Sequence, residues 1–171
     1  SNYVAVKEDI TERRAAEEQL QKLSRAVEQS GNTVIIMDKN GLIEYVNPKF
    51  TELTGFSPEE ALGRSPIALM NGLGSTPDFS QDEWWLTVNM GEIWHGEFRN
   101  HRKDSSVFWE SATIAPVQNR DGDVVNFVEI KQDITEQKKA EETNRKYAIL
   151  QSKSKEMEQF AYIASHDLRE P

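Results

Sequence analysis

Asp133-Ile134-Thr135-Glu136 marks the point where an alternating, strand-like run over residues 123–133 stops and a long polar helical pattern begins, and its reading decides the fold. Asp133 is suited to capping the first free N–H groups of that helix. Glu136, three residues on, can reach back to the cap's own N–H, as in a capping box. The same order occurs earlier, where residues 2–12 (NYVAVKEDITE) align with residues 126–136 (NFVEIKQDITE) at an offset of 124. A period of this size is domain-length, so one whole module is expected between two joints, preceded by the last strand of another.

Working back from the second joint, strands are expected over residues 93–102, 106–118 and 123–133, separated by turn clusters at Lys103-Asp104-Ser105 and Asn119-Arg120-Asp121-Gly122. Nearer the first joint, Ala16, Leu20, Leu23 and Val27 recur at helical spacing and form an apolar stripe. Val34, Ile35, Ile36 and Met37 then run together, as in a strand covered on both faces, and the preceding helix could cover one of them. Asp38-Lys39-Asn40-Gly41 leads into a second strand over residues 42–46, a hairpin signal.

Helical starts follow at Asn47-Pro48, Ser57-Pro58-Glu59-Glu60 and Ser80-Gln81-Asp82-Glu83, with stops at Gly55, Gly63 and near Gly91, and a Gly- and Pro-bearing loop over residues 70–79. The order is two strands, helices, three strands. Hairpin-linked groups without regular strand-helix alternation predict an α+β layer, an antiparallel sheet with helices on one face.

With 171 residues the chain has room for one domain of about 100–130 residues plus flanking helices. A net charge of −9, with Lys and Arg evenly mixed among Asp and Glu, argues against nucleic acid as a partner. The absence of cysteine excludes disulfides, thiolate metal sites and cysteine nucleophiles, and fits a reducing, cytoplasmic setting. No apolar run approaches the roughly 20 residues that cross a bilayer, so no membrane contact is expected of this segment, although the parent could be anchored elsewhere.

The order of elements, together with Asn47-Pro48, Leu53-Thr54-Gly55-Phe56-Ser57, Gly63, Trp94-His95-Gly96-Glu97 and the closing Asp133-Ile134-Thr135-Glu136, resembles the PAS sensor family over roughly residues 21–136. The resemblance implies a five-stranded antiparallel sheet in the order 2-1-5-4-3. It also implies a cavity between sheet and helices, in which a small-molecule ligand could sit.

Beyond the second joint, Ala140, Thr143, Tyr147, Leu150, Ser154, Met157, Ala161, Ala164 and Leu168 fall on alternating steps of three and four, a heptad seam with polar residues at two of the nine positions. We read a parallel two-chain coiled coil, because a helix of about 35 residues is about 50 Å long and overruns a small domain. A single amphipathic helix packed on its own domain is the alternative.

Residues 160–171 (FAYIASHDLREP) resemble the phosphoacceptor box of the sensor histidine kinases, matching at Phe160, Ser165, His166, Asp167, Leu168, Arg169 and Pro171. The seam assignment points His166 outward, where it can meet a kinase domain and a receiver. Imidazole is mostly neutral near pH 7, with one ring nitrogen free to attack a phosphoryl group. The resemblance makes His166 the phosphoacceptor and Asp167 the neighbouring acid that orients the ring and accepts its other proton. ATP and Mg are implied for the full-length parent, and the response regulator's receiver domain as partner. The sequence stops before an ATP-binding domain, so this fragment is expected to be inactive alone; Gly72-Leu73-Gly74 lacks a phosphate-loop context.

Other residues have plainer readings. His95 and His101 are read as ordinary strand residues, because haem-binding relatives of the resembled family take the iron ligand from a helix and residues 81–90 hold no histidine. Gly63-Arg64-Ser65-Pro66 resembles the start of a light-sensing flavin motif, but Pro66 stands where the reactive cysteine would be. No cofactor is therefore predicted in this fragment, haem and cysteine-adduct flavin being disfavoured, while a flavin bound without adduct chemistry stays open. Trp84, Trp85, Trp94 and Trp109 are read as core.

The expected division is residues 1–12 as the end of a preceding PAS domain, 13–30 as a linker helix, 31–134 as the PAS sensor, 135–159 as a signalling helix and 160–171 as a truncated phosphoacceptor helix. Asp133, Thr135 and Glu136 are the expected transmission residues, and a homodimer through the helices the expected assembly. The rival reading is a ligand-free PAS module that serves for dimerisation or protein docking.

Overall fold

In the computed structural model, residues 11–71 and 81–167 are described, with side chains over 12–70 and 84–163. The expectations for residues 1–10, the loop over 72–79, the Ser80 cap and residues 168–171 lie outside the described residues.

An 18-residue helix, α1 (Thr11–Glu28), leads into the hairpin β1 (Thr33–Asp38) and β2 (Ile43–Val46). Its turn closes because Asp38 Oδ1 accepts from Asn40 N at 2.8 Å and Leu42 N at 2.9 Å, and Gly41 takes a φ of +77° that other residues resist. Asn47 caps α2 (Pro48–Thr54), which ends at Gly55 in the left-handed region. Ser57 and Glu60 form the expected capping box on α3 (Pro58–Ala61). After α4 (Pro66–Asn71) and α5 (Gln81–Asn89) come the long strands β3 (Trp94–His101), β4 (Val107–Gln118) and β5 (Val124–Asp133).

All pairings are antiparallel, in the order β2-β1-β5-β4-β3. This is the α+β sheet expected from the sequence, with Phe50, Trp84, Val88, Ile35, Ile114 and Phe127 in its core. Chain connectivity explains the crossing: β1 lies between β2 and β5, so the first hairpin and the last strand share the centre of the sheet.

Two expectations are corrected. The stripe on α1 does not cover β1, since Leu20 and Leu23 stay 66% and 56% exposed and only Val27 is half-buried. Among the described residues the helix is tied to the sheet domain at its last turn, where Val27 O accepts from Asn47 Nδ2 at 3.1 Å. The expected loop start at residue 70 is helical, because α4 buries Leu69 and Met70 and that burial overrides the weak helical signal of six residues.

Contacts divide the chain into two units, residues 1–133 and 134–171. The second carries α6 (Thr135–Asp167), an unbroken helix of 33 residues. The seam residues Tyr147, Leu150 and Met157 are exposed on it.

Candidate functional site

Alternation along the long strands sends Phe98 and Asn100 of β3, Glu110 and Ile114 of β4, and Glu129 and Lys131 of β5 to one buried face. In the β4–β5 register Lys131 lies opposite Ala112 and Glu129 opposite Ile114, which leaves Glu110 diagonal to Lys131. Lys131 Nζ is 3.3 Å from Glu129 Oε1 and 3.5 Å from Glu110 Oε2. Asn100 Nδ2 donates to Glu110 Oε2 at 2.7 Å, and Lys131 Nζ stands 5.1 Å from the centre of the Phe98 ring. Glu110, Glu129 and Lys131 are at most 3% exposed.

Burial pushes the Glu129 carboxyl above its ordinary range; the Lys131 ammonium opposes this and Glu110 adds to it. Burial by itself would lower Lys131, but the attraction of Glu110 and Glu129 outweighs it, so the ammonium is held above its ordinary value. Among the described residues, Glu110 Oε1 and Trp84 Nε1 are buried with no hydrogen-bond partner.

Beside this cluster is a cavity of about 20 Å³, lined among others by Met37, Met70, Trp84, Phe98, Glu129 and Lys131. It has room for about one water molecule, whereas pockets for drug-sized ligands run to about 300–1,000 Å³. Among the described residues this cavity is smaller than a flavin or haem ring system, Glu129 and Lys131 form part of its wall, and buried Pro66 is the first residue of α4.

Asp133 ends β5 opposite Glu110, with Oδ2 at 3.4 Å from Arg102 Nη2. Arg102 Nε donates to Leu53 O at 2.8 Å, and its guanidinium lies 4.5 Å from the centre of the Phe108 ring. Thr135 is the first residue of α6, two positions after Asp133, and Glu136 Oε1 accepts from Lys139 Nζ at 2.8 Å. His166 and Asp167 fall in the last turn of α6, and their side chains lie outside the described residues.

His95 Nδ1 is 2.9 Å from Thr113 Oγ1 across the sheet, and His101 pairs opposite Val107. Trp84 is core; Trp85 and Trp94 are partly buried, with ring centres 5.4 Å from Phe127 and 5.3 Å from Phe98. Trp109 is half-buried. Sequence reasoning missed Glu110, Glu129, Lys131 and Asn100. The available signal was parity: Glu110 shares its strand face with Phe108 and Ile114, and Glu129 and Lys131 share theirs with Phe127.

A five-stranded antiparallel sheet in this order, with helices packed on its inner face, defines the PAS and LOV class of folds. Residues 31–136 match the family described as PAS domain, and the chain belongs to that family. Among curated proteins, it is 29% identical over 135 residues to the Bacterioopsin transcriptional activator of Halobacterium salinarum, covering 77% of this chain and 19% of that protein. It is 28% identical over 151 residues to the Hybrid signal transduction histidine kinase L of Dictyostelium discoideum, covering 88% of this chain and 8% of that protein. The chain thus spans under a quarter of either relative.

Among solved structures, an RNA-binding Light-Oxygen-Voltage receptor superimposes with a TM-score of 0.69 at 22% identity, over 88% of this chain and 42% of that one. The PAS domain of an HTR-like protein from Haloarcula marismortui gives 0.57 at 22% identity, over 74% and 100%. Among the described residues no helix is long and apolar enough to cross a membrane, and no group of three His, Cys, Asp or Glu side chains could hold a metal ion.

Proposed function

We propose that this chain is the sensing and phosphoacceptor segment of a two-component sensor histidine kinase. In this reading the PAS domain over 31–134 relays a signal through 135–159 to His166, which is phosphorylated from ATP-Mg held elsewhere in the parent, with Asp167 as its acid–base neighbour. The phosphoryl group then passes to the receiver domain of a response regulator. Residues 1–12 belong to a preceding PAS domain, 13–30 to a linker helix and 160–171 to the start of the phosphoacceptor helix. Catalysis of such a transfer rests on positioning and charge neutralisation around ATP and its metal.

The observation that carries the reading is the Phe160-to-Pro171 motif, whose residues 160–167 form the last turns of a continuous helix that begins at Thr135, two positions after the last strand residue Asp133. Exposed Tyr147, Leu150 and Met157 along the heptad seam support a parallel homodimer through α6. A second reading, a ligand-free PAS module used for dimerisation or docking, is favoured by one observation, the water-sized cavity.

The test is autophosphorylation of the full-length parent with labelled ATP. The product should be acid-labile and base-stable, and His166→Gln should abolish it. Undiminished labelling of that variant would remove the phosphoacceptor assignment and leave the docking reading.

A further inference from the structure

Glu110, Glu129 and Lys131 bring two carboxylates and one ammonium together beneath the sheet, so the fully ionised cluster carries one unbalanced negative charge. In a low-dielectric interior such a charge is costly, and the direct way to remove it is for a carboxylate to take up a proton. Among the described residues, charged groups on the surrounding elements do not supply a second cation. Arg99 on β3 is exposed, and Asp38 at the end of β1 is bound to its own turn. On α2, Lys49 pairs with Glu52 at 2.7 Å. Neither α4 nor the part of α5 from Trp84 to Asn89 contains an ionisable side chain.

Hydrogen bonding decides which carboxylate takes the proton. Glu110 Oε2 already faces two donors, Asn100 Nδ2 and Lys131 Nζ. Glu129 has the Lys131 ammonium and lies on the cavity wall, where one water molecule can carry a proton to it.

We propose that Glu110, Glu129 and Lys131 form a proton-binding site, with the proton held on Glu129, and that its occupancy sets how Lys131 is shared between the two carboxylates. A neutral Glu129 releases Lys131 toward Glu110 on β4; an ionised Glu129 draws it back along β5, the strand that ends at Asp133. The site stands on the geometry alone. Only its use as a pH input to His166 rests on the histidine kinase reading.

The test is carbon NMR of the side-chain carboxyls in the 171-residue chain, titrated from roughly pH 4 to pH 9. One signal, absent from Glu129→Gln, should show at least tenfold higher proton affinity than an ordinary glutamate near about pH 4.3. Amide exchange over residues 128–132, corrected for intrinsic pH dependence, should change across that midpoint in the wild type and not in Glu129→Gln. Glu110→Gln, which removes the negative neighbour, should lower the Glu129 midpoint and serves if the first variant does not fold.

An ordinary midpoint for Glu129 overturns the site. An exchange response that survives Glu129→Gln overturns the coupling. A midpoint that moves when sodium is exchanged for potassium or choline shows a metal-cation site in place of a proton site. None of these results bears on labelling of His166, so the two proposals fail separately.

Discussion

Arg102, the residue after β3, places Nη2 3.4 Å from Oδ2 of Asp133, the last residue of β5, bridging two strands that are separated by β4. The same guanidinium donates to Leu53 O at the end of α2 and covers the Phe108 ring of β4. One side chain therefore ties helix layer and sheet together at the end of the domain where β5 stops. Arg102→Ala should lower stability by about 1–3 kcal/mol, because a charge-assisted bond to a backbone carbonyl is lost with it. Arg102→Lys should recover only part, since an ammonium lacks the planar fork. Urea unfolding checks both, and wild-type stability in Arg102→Ala would refute the bridge.

Asp133→Ala should cost less, under about 1 kcal/mol, because the pair is partly solvated. A change of about 1 kcal/mol still alters a two-state population several-fold. In the full-length parent we expect Asp133→Ala to change the basal phosphorylation of His166 with the fold intact. Basal and stimulated labelling both at wild-type levels would show that the end of β5 takes no part in transmission.

Asn47 is the most heavily bonded side chain at the other end of the first hairpin. Its Oδ1 accepts from Val34 N at 2.9 Å and Phe50 N at 3.3 Å, and its Nδ2 donates to Val27 O at 3.1 Å and Asn32 O at 2.9 Å. Asn47→Ala should destabilise the domain by about 2–3 kcal/mol, since the buried Val34 N–H loses its acceptor. Asn47→Ser should retain the helix cap but not the tie to α1, giving an intermediate melting temperature.

Lys131→Met should cost about 3–5 kcal/mol near neutral pH, as it leaves two buried carboxylates without their cation, and the deficit should shrink as pH falls and Glu129 takes up its proton. The sign for the wild type follows from the directions of the shifts. Glu129 is raised above its ordinary 4.5, so its contribution is fully present below that pH and is lost as pH rises through the folded value. Lys131 is raised above 10.5, and its contribution is lost only when pH rises past that value. Relative to Glu129→Gln, the wild type should therefore weaken on going from acid toward neutral pH, as measured by urea midpoints at a series of pH values. A constant difference between the two would contradict the burial argument.

Along α6 the exposed seam predicts concentration-dependent dimerisation. Light scattering should give a dimer mass at high concentration, with a monomer when the chain is cut after Asp133. Polar Thr143 and Ser154 in the seam should keep the affinity modest, and Ser154→Leu should strengthen it. A monomeric mass unaffected by the cut would exclude the seam as an interface.

The sequence by itself determined the element types, the hairpin at Asn40-Gly41, the caps at Asn47 and Ser57 and the joint after β5, because each depends on residues within a turn or two of one another. Resemblance supplied the strand order, and the tertiary structure bears it out. Only tertiary structure decided that α1 leaves Leu20 and Leu23 exposed, that six residues starting at Pro66 form a helix, and that Arg102 meets Asp133. Strand parity was enough to put Glu110, Glu129 and Lys131 on an inward face, but each was only a charge at an odd or even position. Their meeting depends on the β4–β5 register, which sets Ala112 opposite Lys131 and so brings Glu110 within reach of it. Register in this hairpin is set by its turn and by the irregularity between Val117 and Gln118, so the pattern of either strand taken alone does not show which residue stands beside it in the next.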